Sequence, residues 1–232
     1  FAQDMANKLN YTREQMDDFA IRSLKRAQVA INEGYFKDEI TPVNVKTRKG
    51  DETVEQDEQP LNAKLDKIPG LKPAFAKDGT ITAANSSSIS DGASALVLTT
   101  EAHAKAKNLA PLARIVATSS NSQHPSEFTT APVGAIQKVL DKADWKAQDV
   151  DLWEINEAFA MVTMAAMDNF NLDSDKVNIH GGACALGNPV GSTGSRIILS
   201  LIHALKRTGG TKGVAALCIG GGEATAVAIE LI

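Results

Sequence analysis

Cys218 is followed by Ile219 and then by Gly220, Gly221 and Gly222, an order that sets a thiol beside three residues without side chains. A cysteine at the end of a buried strand, facing glycines with open backbone N–H groups, can have its thiolate stabilised with no bulky neighbour in the way. Such a thiol can take and return a proton, and the Gly220 N–H can donate to an oxyanion. A second glycine-rich turn runs from Gly181 to Gly191 and carries Asn188, while Asn156 follows the strand-like run Asp151 to Ile155. Each of the three polar groups stands where a strand gives way to a turn, as the wall of an active site requires. An amide both accepts and donates hydrogen bonds but has no nitrogen that titrates near neutral pH. Plainer readings stand beside these: Cys218 as a small buried apolar side chain, and Asn156 as a helix N-cap.

The elements that must position these groups follow from periodicity. Thr12 with Gln15 predicts a capping box, and Met16, Phe19, Leu24, Ala27 and Ile31 recur at helical spacing until Gly34. Val43 and Val45 alternate with polar neighbours, Lys49 to Asp51 marks a turn, and the acidic stretch 51–58 reads as a surface loop. The apolar run Ala93 to Leu98 predicts a buried strand or a short helix. Beyond Leu112 the pattern predicts a strand (113–118), a helix (133–143), a strand (151–155), a helix (157–170), a short strand (177–179), a helix (192–207) and two strands (213–219 and 225–230). This alternation is the mark of a layered α/β fold.

Composition narrows the partners. With 24 basic against 28 acidic side chains the protein is mildly acidic, so no nucleic acid is expected, and no run approaches the roughly 20 apolar residues of a membrane span. Two cysteines cannot make a disulfide framework, and without a CxxC or a His/Cys cluster no metal site is predicted. The opening Phe1-Ala-Gln-Asp-Met has neither a start methionine nor a signal-peptide pattern and reads as the interior of a longer protein. Cys184 reads as core, His180 and His203 as surface or helix-face residues, His124 as part of a polar loop, and the pairs Lys25-Arg26 and Lys206-Arg207 as solvated helix faces.

Asn156-Glu-Ala-Phe-Ala160, the Gly181 to Gly191 turn and Cys218-Ile-Gly-Gly-Gly222 resemble, in their order and separation, motifs of the thiolase family of acyl-CoA acyltransferases. The resemblance covers nearly the whole chain. It implies a layered αβαβα fold, with 1–80 as the C-terminal part of the loop domain, 81–111 as the end of the N-terminal domain and 112–232 as the C-terminal domain. It implies an acetyl-CoA acetyltransferase type, with a degradative 3-ketoacyl-CoA thiolase as the alternative and a non-catalytic acyl-CoA binding subunit as a reading of another class. The implied substrates are coenzyme A thioesters, and no bound cofactor is expected. In the implied roles Cys218 moves the α proton, Gly220 donates to an oxyanion and Asn156 holds a water that donates to the thioester oxygen. Where the family has a histidine, this chain has Asn188, which keeps a donor and loses a base.

By the same resemblance Phe75, Ala83, Ser87, Ile89 and Phe159 line the pantetheine channel. The basic residue that some members use near the nucleotide phosphate has no counterpart around Gln59 to Leu61, which implies modest CoA affinity. Leu24 stands where the potassium-activated type has a tyrosine, so no potassium requirement is expected. The nucleophilic cysteine belongs to an N-terminal segment that this sequence does not contain, and that segment is an implied partner. A homo-oligomer, dimer or tetramer, and a cytoplasmic location complete the expectations.

Overall fold

The computed structural model describes residues 1–232. A short helix, α1 (Ala2–Lys8), precedes the long α2 (Arg13–Asn32), whose first turn is closed by the predicted capping box. Thr12 Oγ1 accepts from the Gln15 N–H at 3.2 Å, and Gln15 Oε1 accepts from the Thr12 N–H at 2.9 Å, so two helix-end donors are satisfied reciprocally. The face bearing Met16, Phe19, Ala20, Leu24 and Ala27 is buried. An antiparallel hairpin follows, β1 (Val43–Thr47) with β2 (Gly50–Val54), exposed along both strands. The acidic stretch is therefore partly strand, and the single-turn α3 (Glu58–Asn62) closes it.

The predicted buried strand or helix at Ala93 to Leu98 does not form. The segment has no regular structure, with Val97 94% and Leu98 72% exposed. A strand needs a neighbour to pair its backbone and cover its side chains, and no strand of this chain lies beside it. It is moored at Ser94, whose hydroxyl meets those of Ser192 (2.7 Å) and Ser195 (2.6 Å). Then comes α4 (Glu101–Ala106).

The remainder alternates as expected: β3 (Ala113–Ser122), α5 (Ala131–Ala143), β4 (Leu152–Ile155), α6 (Ala160–Phe170), α7 (Ala183–Leu186), α8 (Thr193–Thr208), β5 (Lys212–Ile219) and β6 (Glu223–Leu231). The four strands form one sheet in the order β3-β6-β5-β4, parallel between β4 and β5 and antiparallel elsewhere. Successive strand residues face opposite sides. Trp153, Ile155, Val214 and Ala216 pack with Ile136, Val139 and Leu140 of α5, whereas Leu152 and Ala215 pack with Ile197, Leu201 and Leu205 of α8. Helices thus cover both faces of the sheet.

Three boundaries depart from the sequence pattern. Helix α6 starts at Ala160 rather than at Glu157, because 156–159 run extended along other segments. The predicted strand 177–179 is reduced to a single bridge between Val177 and Trp153, since Asn178 turns into a left-handed conformation at φ 48°. The turn after Gly182 winds once as α7.

Candidate active site

Asn156 leaves the end of β4 with its N–H on the Ala216 carbonyl at 2.9 Å, which fixes it beside β5 two residues before Cys218. It is not the N-cap of α6; that position belongs to Phe159. Its side chain is 4% exposed, and its Oδ1 accepts from Arg196 Nη2 at 3.5 Å. A guanidinium has donors only, so the amide must turn its oxygen toward Arg196 and its nitrogen away. The Nδ2 finds no acceptor in the chain and is not sealed from solvent.

Asn188 follows Gly187, whose φ of +85° and approach to Ser90 exclude a larger residue: an added Cβ would lie 2.1 Å from Ser90 Oγ. The Asn188 N–H donates to the Ser88 carbonyl at 2.9 Å, and its Oδ1 accepts from Thr193 Oγ1 at 2.6 Å. Here too Nδ2 lacks an acceptor in the chain and remains in reach of solvent. Ile89 bridges to Asn188, Ser86 bridges to Phe159, and the Ser87 N–H and hydroxyl both reach the Ala158 carbonyl at 3.1 Å. Phe75 meets Phe159 edge-on at 6.1 Å. The structure therefore brings Phe75, Ser87, Ile89, Phe159 and Asn188 into one strip. Ala83 instead lines a cleft of about 260 Å³ with Leu24, Lys64, Lys67 and Cys184, which none of the other candidates borders.

Cys218 lies near the end of β5, half-buried, at the mouth of the β5–β6 hairpin. Gly222 permits that hairpin: its φ is +100°, and a Cβ there would lie 2.4 Å from the Gln123 carbonyl oxygen. Gly220 is exposed and its N–H has no acceptor in the chain. The thiolate stabilisation expected at Cys218 is not found. Burial pushes the Cys218 thiol up to about 11, and only its own backbone N–H pulls the other way. At neutral pH the group is a neutral thiol that holds its proton against weak bases and yields it only to a stronger one, such as a carbanion.

Three residues to which the sequence assigned no role hold the site together. The Glu157 side chain, 1% exposed, accepts from Ser23 Oγ (2.7 Å), Asn178 Nδ2 (2.8 Å) and the Cys184 N–H (3.0 Å), tying α2, the Asn178 turn and α7 to the segment of Asn156. A Cβ on Gly182 would lie 2.3 Å from its carboxyl carbon. Thr193 and Arg196, on the first turn of α8, are the partners of the two asparagines. Arg196 is the positive charge felt by Glu39, Asp57 and Glu154, and burial still drives Glu39 up to about 7 and Glu154 up to about 8. Glu157 stands inside the Asn156 to Ala160 motif, with no role attached to it there; the signal for Thr193 and Arg196 is their i, i+3 spacing.

Other residues also move from their expected places. His180 is 2% exposed, packed against Tyr35 and Phe36, and accepts from Arg207 Nε at 2.9 Å; burial and Arg207 hold it down to about 4. Arg207 itself stacks on Tyr35, and Arg26 binds the Ser174 and Val177 carbonyls, so neither is a purely solvated face. Cys184 is buried, as expected of core. No three His, Cys, Asp or Glu side chains are grouped to hold a metal ion, and no helix is long and apolar enough to cross a membrane.

Comparison with known proteins bears on this geometry. The model of the thiolase C-terminal domain matches residues 109–231, and that of the thiolase N-terminal domain matches residues 1–102. An acetyl-CoA acetyltransferase of Yarrowia lipolytica is 48% identical over 221 residues, covering 95% of this chain and 55% of its own length. The crystal structure of the Bacillus anthracis acetyl-CoA acetyltransferase superposes with a TM-score of 0.96 at 46% identity, and that of an Ascaris suum thiolase in complex with coenzyme A with a TM-score of 0.92 at 40% identity. Each superposition covers 100% of this chain and 59% of the other. The chain therefore spans somewhat more than half the length of the relatives it matches.

Proposed function

The chain belongs to the thiolase family, and from that premise we propose that it supplies the proton-transfer side of an acetyl-CoA acetyltransferase site. The reaction is the reversible condensation of two acetyl-CoA to acetoacetyl-CoA and CoA. The observation that carries this reading is the joining of the two asparagines to one turn of α8, with Asn156 held beside β5 two residues before Cys218. In condensation Cys218 acts as the thiolate, its own proton having passed to solvent; the sulfur takes an α proton from the acetyl thioester, and the electron pair of the C–H bond moves onto the thioester oxygen. That oxygen accepts from Asn188 Nδ2 and from a water held by Asn156, with Gly220 N–H serving the second oxyanion. In cleavage the Cys218 thiol protonates the departing carbanion, the direction its protonation state at neutral pH favours. Phe75, Ser87, Ile89 and Phe159 receive the pantetheine arm, and Ala83 the part of the ligand nearer its own cleft.

The acyl carrier is a cysteine of the N-terminal segment that the relatives have beyond the matched length. In this reading residues 1–80 complete a loop domain, 81–111 end the N-terminal domain and 112–232 form the C-terminal domain of a five-layered fold, in a cytoplasmic homo-oligomer. Asn188 favours one second reading, a non-catalytic acyl-CoA binding subunit, because an amide cannot serve as a general base. Calorimetric titration with acetyl-CoA and CoA, followed by intact mass spectrometry, tests the proposal. The expected result is binding of both without an acetyl adduct on Cys218. Absence of binding, or acetylation of Cys218, overturns it.

A further inference from the structure

We infer that Thr193 and Arg196 are positioning residues, a two-pronged clamp on the first turn of α8 that fixes which atom of each asparagine amide faces the ligand. The inference deepens the proposed function and rests on it for the identity of the ligand. Thr193 and Arg196 are three residues apart and so share one helix face. Thr193 Oγ1 lies 2.6 Å from Asn188 Oδ1, and Arg196 Nη2 lies 3.5 Å from Asn156 Oδ1. Each contact occupies an amide oxygen and leaves an amide nitrogen that has no acceptor in the chain and is not fully sealed from solvent.

The chemistry of the partners sets the direction. Arg196 has no acceptor, so a flipped Asn156 would set N–H against N–H. The guanidinium has one hydrogen-bond partner in the chain, Asn156. Its Nε and Nη1 are buried without partners, no carboxylate lies within ion-pair distance, and Glu39, Asp57, Glu154 and Glu157 act on it only through space. Thr193 has a single hydroxyl proton, and of its two acceptors the Asn188 Oδ1 at 2.6 Å lies closer than the Pro189 carbonyl at 3.1 Å, so the proton points to the amide oxygen. A clamp of this kind matters for an acyl thioester and not for the free thiol. The Asn188 N–H and the water held by the Asn156 N–H recognise a thioester carbonyl oxygen, which acetyl-CoA has and CoA lacks.

The test reads the amides directly. In 1H–15N spectra, the side-chain NH2 signals of Asn156 and Asn188 are assigned by their loss in Asn156→Asp and Asn188→Asp. Thr193→Val should shift the Asn188 pair and leave the Asn156 pair in place, and Thr193→Ser should restore it. Arg196→Met should shift the Asn156 pair alone, with Arg196→Lys as the variant that keeps a cation should Met fail to fold. In titrations, Thr193→Val should weaken acetyl-CoA by roughly three- to tenfold, the range expected for one displaced hydrogen bond, and leave CoA unchanged. NH2 signals that ignore both substitutions, or equal losses for acetyl-CoA and CoA, would overturn the clamp. If the parent protein binds neither ligand while the NH2 shifts appear as described, the clamp stands and the acetyl-CoA reading fails.

Discussion

Replacing Glu157 by Gln changes one atom and no volume, and it should cost stability through a single misplaced donor. The parent carboxylate faces three donors: Ser23 Oγ and the Cys184 N–H on Oε2, and Asn178 Nδ2 on Oε1. Glutamine keeps one acceptor oxygen. Placed on the Oε2 side it satisfies Ser23 and Cys184, and its NH2 then meets the Asn178 NH2 at about the 2.8 Å of the parent contact. Asn178 cannot turn to relieve this, because its Oδ1 accepts from the Ile155 N–H and its Nδ2 also donates to the Ile155 carbonyl, both at 2.8 Å. One buried donor left unsatisfied costs about 1–3 kcal/mol. Removing the charge works the other way, since burial already pushes this carboxyl up despite its three donors, so the lower half of the range is expected. At about 2–4 °C per kcal/mol for a chain of this size, the loss in melting temperature is about 2–8 °C by circular dichroism. Glu157→Ala leaves all three donors bare and should melt lower still. A Gln variant as stable as the parent would mean that Glu157 is not the acceptor that binds α2, the Asn178 turn and α7 to Asn156.

Other consequences can be measured on the same protein. Alkylation of Cys218 by iodoacetamide should climb about tenfold per pH unit toward pH 11, without a plateau near the ordinary thiol value of roughly 8.5, while Cys184 stays unreactive. Glu39 and Glu154 titrate higher in the folded state, near 7 and 8, so from about pH 4.5 upward the native chain binds more protons than the unfolded one. Stability should therefore fall as pH rises to about 8, and Glu39→Gln should flatten the lower part of that fall in chemical denaturation. Gly222→Ala forces a side chain into φ +100° and against the Gln123 carbonyl, and should destabilise by about 1–3 kcal/mol in the same assay. Joined to the acyl-carrying segment, Asn188→His should raise thiolysis of acetoacetyl-CoA by about 10²- to 10⁴-fold, and an unchanged rate would show that the absent base does not limit the reaction.

The sheet and its covering helices were legible because their residues obey local rules: short apolar runs bounded by turn residues in β4 and β5, helical spacing in α2, α5 and α8, and a capping box at Thr12. Asn188 and Cys218 were legible as positions through the glycines around them, and Asn156 through the strand-like run before it. What escaped was set by contacts distant in sequence. The Ala93 to Leu98 run is apolar like a buried strand, yet burial needs a partner that periodicity cannot supply. Burial of the Cys218 thiol, not the adjacent glycines, decides its proton affinity. His180 gives no local sign of its packing against Tyr35 and Arg207, residues that α2 and α8 bring to it.

Exchange of the acetyl α protons of acetyl-CoA for deuterium, followed by proton NMR in D2O with the 232-residue chain, addresses the role of Cys218 without needing an acyl carrier. Exchange should exceed the buffer background, rise with pH as the Cys218 thiol ionises, and vanish in Cys218→Ala. Exchange that persists in Cys218→Ala, or none above background in the parent at high pH, would contradict the assignment of Cys218 as the group that moves the α proton.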